Sequence, residues 1–392
     1  MRDFIIMVTG TYIAVNAYLF ARLFQSLAGT GALRGAACAA LLLFGASFPA
    51  GRALAGRLPD VITRVITLMG NLYISPMLYG FLLTVSIDIF RLLNNIFAIT
   101  HNPPFSLDVR LRTVAAIFVI SLLITAAGAV NATIPAVKDV FVVFGGENGE
   151  GEADYRADVF LKIAVLSDTH LGEFTGPGYL KKLVEKTNAA SPDIVLLAGD
   201  IIDGSIFFKD ERVVRETTEL FKSFRARLGV WGVLGNHDYY TGVSRTETFL
   251  SAAGVRMLRD EAVTLDGKFV LVGRNDRTAV SRGGERKSLE DVLSSVPPAD
   301  DGSKYPIVLM DHQPFDLHEA EQCGVTVQIS GHTHRGQLWP INFIISRIYE
   351  CGYGEYKRGS TSYYISSGAG VWGPPIRTIG RPEIVIINLS DS

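Results

Sequence analysis

The sequence predicts a chain in two parts: an N-terminal transmembrane α-helical bundle of about four helices, then a water-soluble α/β domain. Three observations carry this. First, charge is uneven along the 392 residues: positions 1–137 hold nine Arg, four Asp, no Lys and no Glu, while 63 charged residues fall in the remaining 255. Second, the gaps between those few charges are long. Windows 4–21, 35–51, 65–87 and 113–137 lack Asp, Glu, Lys and Arg altogether, runs of 18, 17, 23 and 25 residues, and a helix of roughly 20 apolar residues spans a bilayer. Third, short β-rich runs alternate with helical stretches in the rest of the chain, the rhythm of an α/β domain.

Each window reads as one span. A buried helical bundle in a soluble protein would show a charged stripe on each helix, and these have none. The first window is read as a retained anchor, because Met1-Arg2-Asp3 is hardly a basic leader and further apolar windows follow. The second is the shortest; the third carries Asn71 and Pro76 and is expected to be kinked or packed against its neighbours. The windows also lack His, so they offer no charged pathway for a transporter. The expected location is the cell membrane, multi-pass. Orientation is left open: Arg2, Arg52, Arg57, Arg64 and Lys138 balance Arg22, Arg34, Arg91, Arg110 and Arg112.

Boundaries follow from composition: a transmembrane domain over 1–140, an acidic Gly-rich linker over 141–157 whose first residues read as a short strand or linker, and the soluble domain over 158–392. Strands are expected at Leu161–Ser167, Asp193–Ala198, Val230–Leu234, Phe269–Gly273, Ile307–Met310, Thr326–Ser330, Ser362–Ser366 and Glu383–Leu389. A net charge of -2 gives no bulk attraction for a nucleic acid duplex. Three cysteines, Cys38, Cys323 and Cys351, are too few for a disulfide framework and read as ordinary thiols.

The chemistry gathers where the strands end. Strand-end segments hold Asp168-Thr-His170, Gly199-Asp200-Ile-Ile-Asp203, Gly235-Asn236-His237-Asp238, Asp311-His312 and Gly331-His332-Thr-His334, and five of the seven histidines lie in them. Open α/β sheets bind ligands at such carboxyl ends. In Asp168-x-His170 and His332-x-His334 the alternate residues project to one side, so paired ligands reach one region. Carboxylate with imidazole suits Mn, Fe or Zn better than Mg or Ca. The two oxygens of Asp200 could bridge a pair of cations and Asn236 could add a neutral ligand, forming a two-metal clamp for phosphoryl transfer. His237 diverges from adjacent Asn236 and is assigned to substrate, with Asp203 as its partner. Asp-x-His or Gly-Asp alone is weak, but Gly-Asn-His-Asp followed by Gly-His-x-His in register with strands is not a coincidence of composition.

This ordered set resembles the calcineurin-like metallophosphoesterase superfamily over residues 158–390. The run Gly331 to Pro340, with Ser366–Gly373 and Pro382–Ile384, is similar to its membrane-anchored, phosphodiesterase-like branch. The resemblance implies a four-layer αββα sandwich. It also implies two metal ions, one held by Asp168, His170, Asp200 and His334 and the other by Asp200, Asn236, His312 and His332. His237 would then contact the phosphate or protonate the leaving oxygen, oriented by Asp203. Phosphoprotein phosphatases of the superfamily carry Arg after the second Asp of Gly-Asp-x-x-Asp; here that position is Gly204, which argues against a protein phosphatase.

The substrate expected first, from the anchor alone, is a lipid-linked phosphodiester or pyrophosphate. A tethered phosphomonoesterase or nucleotide phosphodiesterase comes second, and a non-catalytic membrane sensor third. Arg335 is a candidate contact for a second phosphate or head group, with a solvated surface role as its alternative. The apolar stretch 338–349 could dip into a lipid interface, but core packing is the expectation. Oligomeric state is not specified by the sequence.

Overall fold

The computed structural model describes residues 2–54, 56–99, 106–144, 159–297 and 304–391. The chain divides into two units, Met1–Val130 with Gly373–Thr378, and Asn131–Trp372 with Ile379–Ser392. In the first unit, α1 (Arg2–Ser26), α2 (Ala32–Ala53), α3 (Asp60–Phe97) and α4 (Leu107–Asn131) are four helices long and apolar enough to cross a membrane.

The burial of these helices is inverted relative to a water-soluble bundle. Large apolar residues such as Leu43, Ile89, Phe118 and Leu123 face outward, while most buried positions are small or polar: Ser47, Gly51, Gly70, Asn71, Ser75, Gly80, Ser121 and Gly128. This is the pattern expected in a lipid surround, where outward Leu and Phe carry no penalty and packing and interhelical hydrogen bonds choose the inner faces. A Cβ on Gly70 would lie 2.5 Å from the Phe48 Cα, so only glycine lets α3 approach α2 this closely. Tyr73 donates to Asn16 at 2.7 Å, and the Ser75 and Thr125 hydroxyls are 2.9 Å apart. Pro76 sits inside the 38-residue α3, flanked by these packed positions.

The second unit contains two six-stranded sheets. One has the order β1-β12-β2-β3-β4-β5, with β1 Ala136–Phe144, β2 Val159–Leu166, β3 Ile194–Ala198, β4 Val230–Val233, β5 Val255–Met257 and β12 Glu383–Asp391. The other runs β10-β11-β9-β8-β7-β6, with β6 Glu261–Leu265, β7 Phe269–Gly273, β8 Ile307–Met310, β9 Val327–Ser330, β10 Gly354–Arg358 and β11 Thr361–Ile365. The helices are α5 (Pro177–Ala189), α6 (Glu211–Lys222), α7 (Asn236–Thr241), α8 (Val243–Ala252), α9 (Thr278–Ser281), α10 (Leu289–Leu293), α11 (His318–Gln322) and α12 (Asn342–Ile348).

Central strands such as Ile194-Val-Leu-Leu-Ala198 are apolar throughout because both of their faces are covered. Between the sheets lie Ile163, Leu196, Val233, Leu271, Met310, Ile329 and Ile387. On one outer face, Val195, Leu197 and Ile386 meet Leu180 and Leu183 of α5, Phe221 of α6 and Phe249 of α8. On the other, Val270, Leu309 and Ile365 meet Leu289, Val292 and Ala320 of α10 and α11. The result is the expected helix–sheet–sheet–helix order of four layers. Each fully buried Leu or Ile contributes about 1.5–3 kcal/mol.

Position 140 falls inside β1, which pairs in parallel with β12 from Ala136↔Glu383 to Phe144↔Asp391. The stretch 145–157 of the expected linker and His101 lie outside the described residues. All three cysteines are free thiols. The expectation that 338–349 is core fails: Leu338 is buried, but α12 buries no residue, and Phe343, Ile344 and Ile348 are 57–60% exposed. The outer faces of both sheets are already covered by α5, α6, α8, α10 and α11, and seven residues are too few to add a layer.

Candidate metal centre

Parallel strands from both sheets end at one place. β2, β3 and β4 lead into Asp168, Asp200 and Asn236; β8 and β9 lead into His312 and the His332–His334 segment. All seven candidate ligands from the sequence converge there. His170 Nε2 and His334 Nε2 face each other at 3.0 Å, with Asp168 Oδ1 3.4 Å from His334 Nε2 and 3.9 Å from His170 Nε2. Asp200 Oδ2 lies 3.8 Å from His170 Nε2 and 3.2 Å from His312 Nε2, so one carboxylate belongs to both halves. In the second half, His332 Nδ1 is 2.8 Å from Asn236 Oδ1.

The backbone is built to hold these groups. Asp168, His170, Asp200, His332 and His334 all have positive φ, from 43° to 70°; a left-handed backbone at non-glycine residues persists only where its surroundings enforce it. Two glycines give the carboxylates room. A Cβ on Gly331 would sit 1.8 Å from Ser167 Oγ and 2.2 Å from Asp168 Oδ2, and one on Gly235 2.2 Å from Asp200 Oδ1. The His332 amide donates to both Asp168 oxygens (3.0 and 3.1 Å), and the His237 amide to Asp200 Oδ1 (2.7 Å). The Ala198 carbonyl accepts a hydrogen bond from His312 Nδ1 at 2.8 Å, which turns Nε2 of that ring toward Asp200.

His237 stands beside this group. Its Nδ1 is 2.9 Å from Asp203 Oδ1, and Asp203 Oδ2 is also 3.6 Å from His170 Nδ1. Its ring contacts His170, Tyr240 and Trp372 at centroid distances of 4.8, 5.5 and 5.7 Å. Burial disfavours its charged form, but the Asp203 hydrogen bond and the fields of Asp200, Asp203 and Asp238 outweigh that and raise its pKa to about 9. Burial likewise works against ionised Asp200, yet facing His312 holds the carboxyl well below the usual range. Burial pushes Asp168 up, and burial with repulsion from His312 takes His332 down to about 4.

The donor set fits divalent metal ions. Carboxylate oxygens and imidazole nitrogens aim inward at separations where each group of ligand atoms falls within 4.8 Å, in the sets Asp168-His170-His334 and Asp200-His312-His332. His170 Nε2 and His334 Nε2 lie 3.0 Å apart with Asp168 beside them, where one cation could be held by all three. Arg335 is not drawn into this group; its guanidinium lies 4.3 Å from the Tyr353 ring centroid.

Asp238, part of the Gly-Asn-His-Asp run in the sequence, had been given no role of its own. Fully buried, it accepts hydrogen bonds from the amides of Ile201 (3.2 and 3.1 Å), Ile202 (2.9 Å) and Gly235 (2.9 Å). One carboxylate thus fastens the Asp200–Asp203 loop to the Asn236–His237 loop. Its signal was an acidic residue three positions after Gly235, where a helix start seeks an acceptor for its free amides. Arg286 was missed as well: it holds Asp311, the neighbour of His312, through two contacts of 3.2 and 2.6 Å.

Comparison with known proteins agrees with this geometry. A family model described as calcineurin-like phosphoesterase matches residues 161–336. A metallophosphoesterase of Aquifex aeolicus is 33% identical over 233 residues, 58% of this chain and 85% of that protein. The chain belongs to the calcineurin-like metallophosphoesterases. A Helicobacter pylori metallophosphoesterase is 32% identical over 60% of the chain and 61% of its own length, so the match spans only about three fifths of that relative. A Bos taurus transmembrane protein with metallophosphoesterase domain is 31% identical over 57% of the chain and 52% of its own length. The calcineurin-like phosphoesterase domain is thus joined, in this chain, to four helices long and apolar enough to cross a membrane.

Proposed function

We propose that this multi-pass protein of the cell membrane hydrolyses a phosphodiester or pyrophosphate bond in a lipid-linked substrate, with two metal ions and His237 as the acid. The observation that carries the reading is the pair of donor clusters sharing Asp200. One ion would be held by Asp168, His170, Asp200 and His334, the other by Asp200, Asn236, His312 and His332. Manganese, iron or zinc suits these donors. When bound, such a pair polarises water and neutralises charge on the phosphoryl oxygens.

The chain's own groups do the rest. Asn236 and His237, side by side at the start of α7, would orient the phosphoryl group. Asp203 fixes the His237 ring through Nδ1, which supports transfer of a proton from its other nitrogen to the departing oxygen. Arg335 would reach a second phosphate or head group by leaving the Tyr353 ring. The lipid-linked part rests on the four apolar helices, which keep the enzyme among amphipathic phosphoesters.

The test is hydrolysis by the detergent-solubilised full chain, after each metal is added back, of bis-p-nitrophenyl phosphate, p-nitrophenyl phosphate and lipid pyrophosphates. Preference for the lipid pyrophosphate is expected. Preference for the monoester would replace the reading with a tethered phosphomonoesterase, and inertness toward all three would end it. Asp200→Asn should release both metals together, and two metals per chain by elemental analysis would refute the shared carboxylate.

A further inference from the structure

We propose that the exposed apolar face of Trp339–Ile348 docks the α/β unit onto a phospholipid bilayer surface. Among the described residues of that unit, ten large hydrophobic side chains are exposed, and four of them, Trp339, Phe343, Ile344 and Ile348, fall within ten residues. Phe343 is 60% exposed, in a helix that buries nothing. Scattered exposed apolar residues are ordinary, but a contiguous set marks a surface that meets something other than water.

The chemistry of the stretch selects the occupant. From Leu338 to Tyr349 there is no acidic residue and one cation, Arg347. Trp, Phe and Ile beside a single Arg is the composition of an element lying at the headgroup boundary, where the aromatic rings sit at headgroup depth and the cation meets lipid phosphates. The same chain carries four helices of bilayer-spanning length, so the unit is covalently tethered to any bilayer they enter. A second copy is a poorer fit: four side chains of this size expose roughly 500 Å², short of the about 800 Å² per partner of a stable protein interface.

The face is held on a frame continuous with the metal centre. Gln337 donates to the Trp372 carbonyl at 3.0 Å and accepts from the Trp372 amide at 3.1 Å. At the other end, the Tyr349 ring packs at a tilt against Phe315, centroids 4.8 Å apart, and meets His332 at 6.2 Å. A lipid surface engaged by α12 would therefore lie beside the residues that receive the phosphoester.

The experiment uses the full chain in vesicles of phosphatidylcholine and phosphatidylglycerol, with and without lipids brominated near the headgroup end of their acyl chains. The chain has three Trp, and the difference between the native protein and Trp339→Phe isolates the emission of Trp339. That emission should drop about twofold or more in brominated vesicles. The double variant Phe343→Asp with Ile348→Asp should abolish the drop. Trp231, 5% exposed in the core, gives a check on folding when it is the one Trp left by Trp339→Phe with Trp372→Phe. A Trp339 equally bright in both vesicles overturns the proposal, whether a second copy, a protein partner or water surrounds it.

Discussion

Replacing Asp238 by Ala tests whether one carboxylate holds the metal centre together. The substitution strands three buried amides, those of Ile201, Ile202 and Gly235, at about 1–3 kcal/mol each. Against that, it relieves a buried charge: burial and the field of Asp200 raise Asp238 to about 7 from 3.8, which offsets up to about 4 kcal/mol. The expected net loss is about 3 kcal/mol, or a fall of roughly 1 M in the urea midpoint for a unit of this size. Trp231 fluorescence in detergent would follow it. Because Asp238 joins the loop of Asp200 and Asp203 to that of Asn236 and His237, both metals should be lost together by elemental analysis. The proton balance gives a second readout. An acid whose folded pKa is raised binds more protons folded than unfolded, so metal-free native protein should lose stability as pH rises from about 4 to about 7. Asp238→Asn should flatten that slope. A variant Asp238→Ala with an unchanged midpoint and two metals per chain would refute the reasoning.

Three further outcomes are expected. In metal-free protein, NMR should show His237 keeping its proton up to pH about 9; Asp203→Asn should lower that value, and so should reloading with cations, whose charge disfavours the imidazolium. A His237 that titrates near 6.5 in the native apoprotein would contradict the pairing with Asp203. His237→Ala should cut turnover of poor leaving groups about 10²–10⁴-fold and of good ones less; equal losses on both would remove it as the acid. Gly331→Ala should empty the Asp168 half of the centre, because its Cβ would overlap Ser167 Oγ and Asp168 Oδ2; calorimetric titration showing native affinity for both metals would count against that cradle.

Among the strands, those with a neighbour on both sides were legible in the sequence and those at the sheet edges were not. All eight expected strands exist, and the others, β1, β5, β6 and β10, are the four sheet edges. Edge strands carry charge and half-bury, as in Glu355-Tyr-Lys-Arg358 and Val255-Arg-Met257, which dilutes their apolar pattern. Of these, β1 showed only as a short strand or linker at Phe141. At the site, residues with metal-binding chemistry were legible one by one; the structure groups six of the seven with the His237–Asp203 pair and sets the seventh, Asn236, against His332. The supports, Asp238 and Arg286, were not, because a carboxylate that accepts backbone amides and an Arg that holds another carboxylate look like any charged residue until the loops are placed. The α12 stretch misled for the opposite reason: apolar composition reports affinity for a nonaqueous neighbour without saying whether that neighbour is protein.

The left-handed backbone at five site residues has a practical consequence for handling the protein. Each such conformation costs about 1–3 kcal/mol and here is enforced by glycine clearances and amide contacts within the chain. The shape of the cradle therefore depends on residues that donate nothing to a metal: replacing Gly235 or Gly331 alters it without touching a donor atom, so variants at these glycines need their backbone checked before their metal contents are compared.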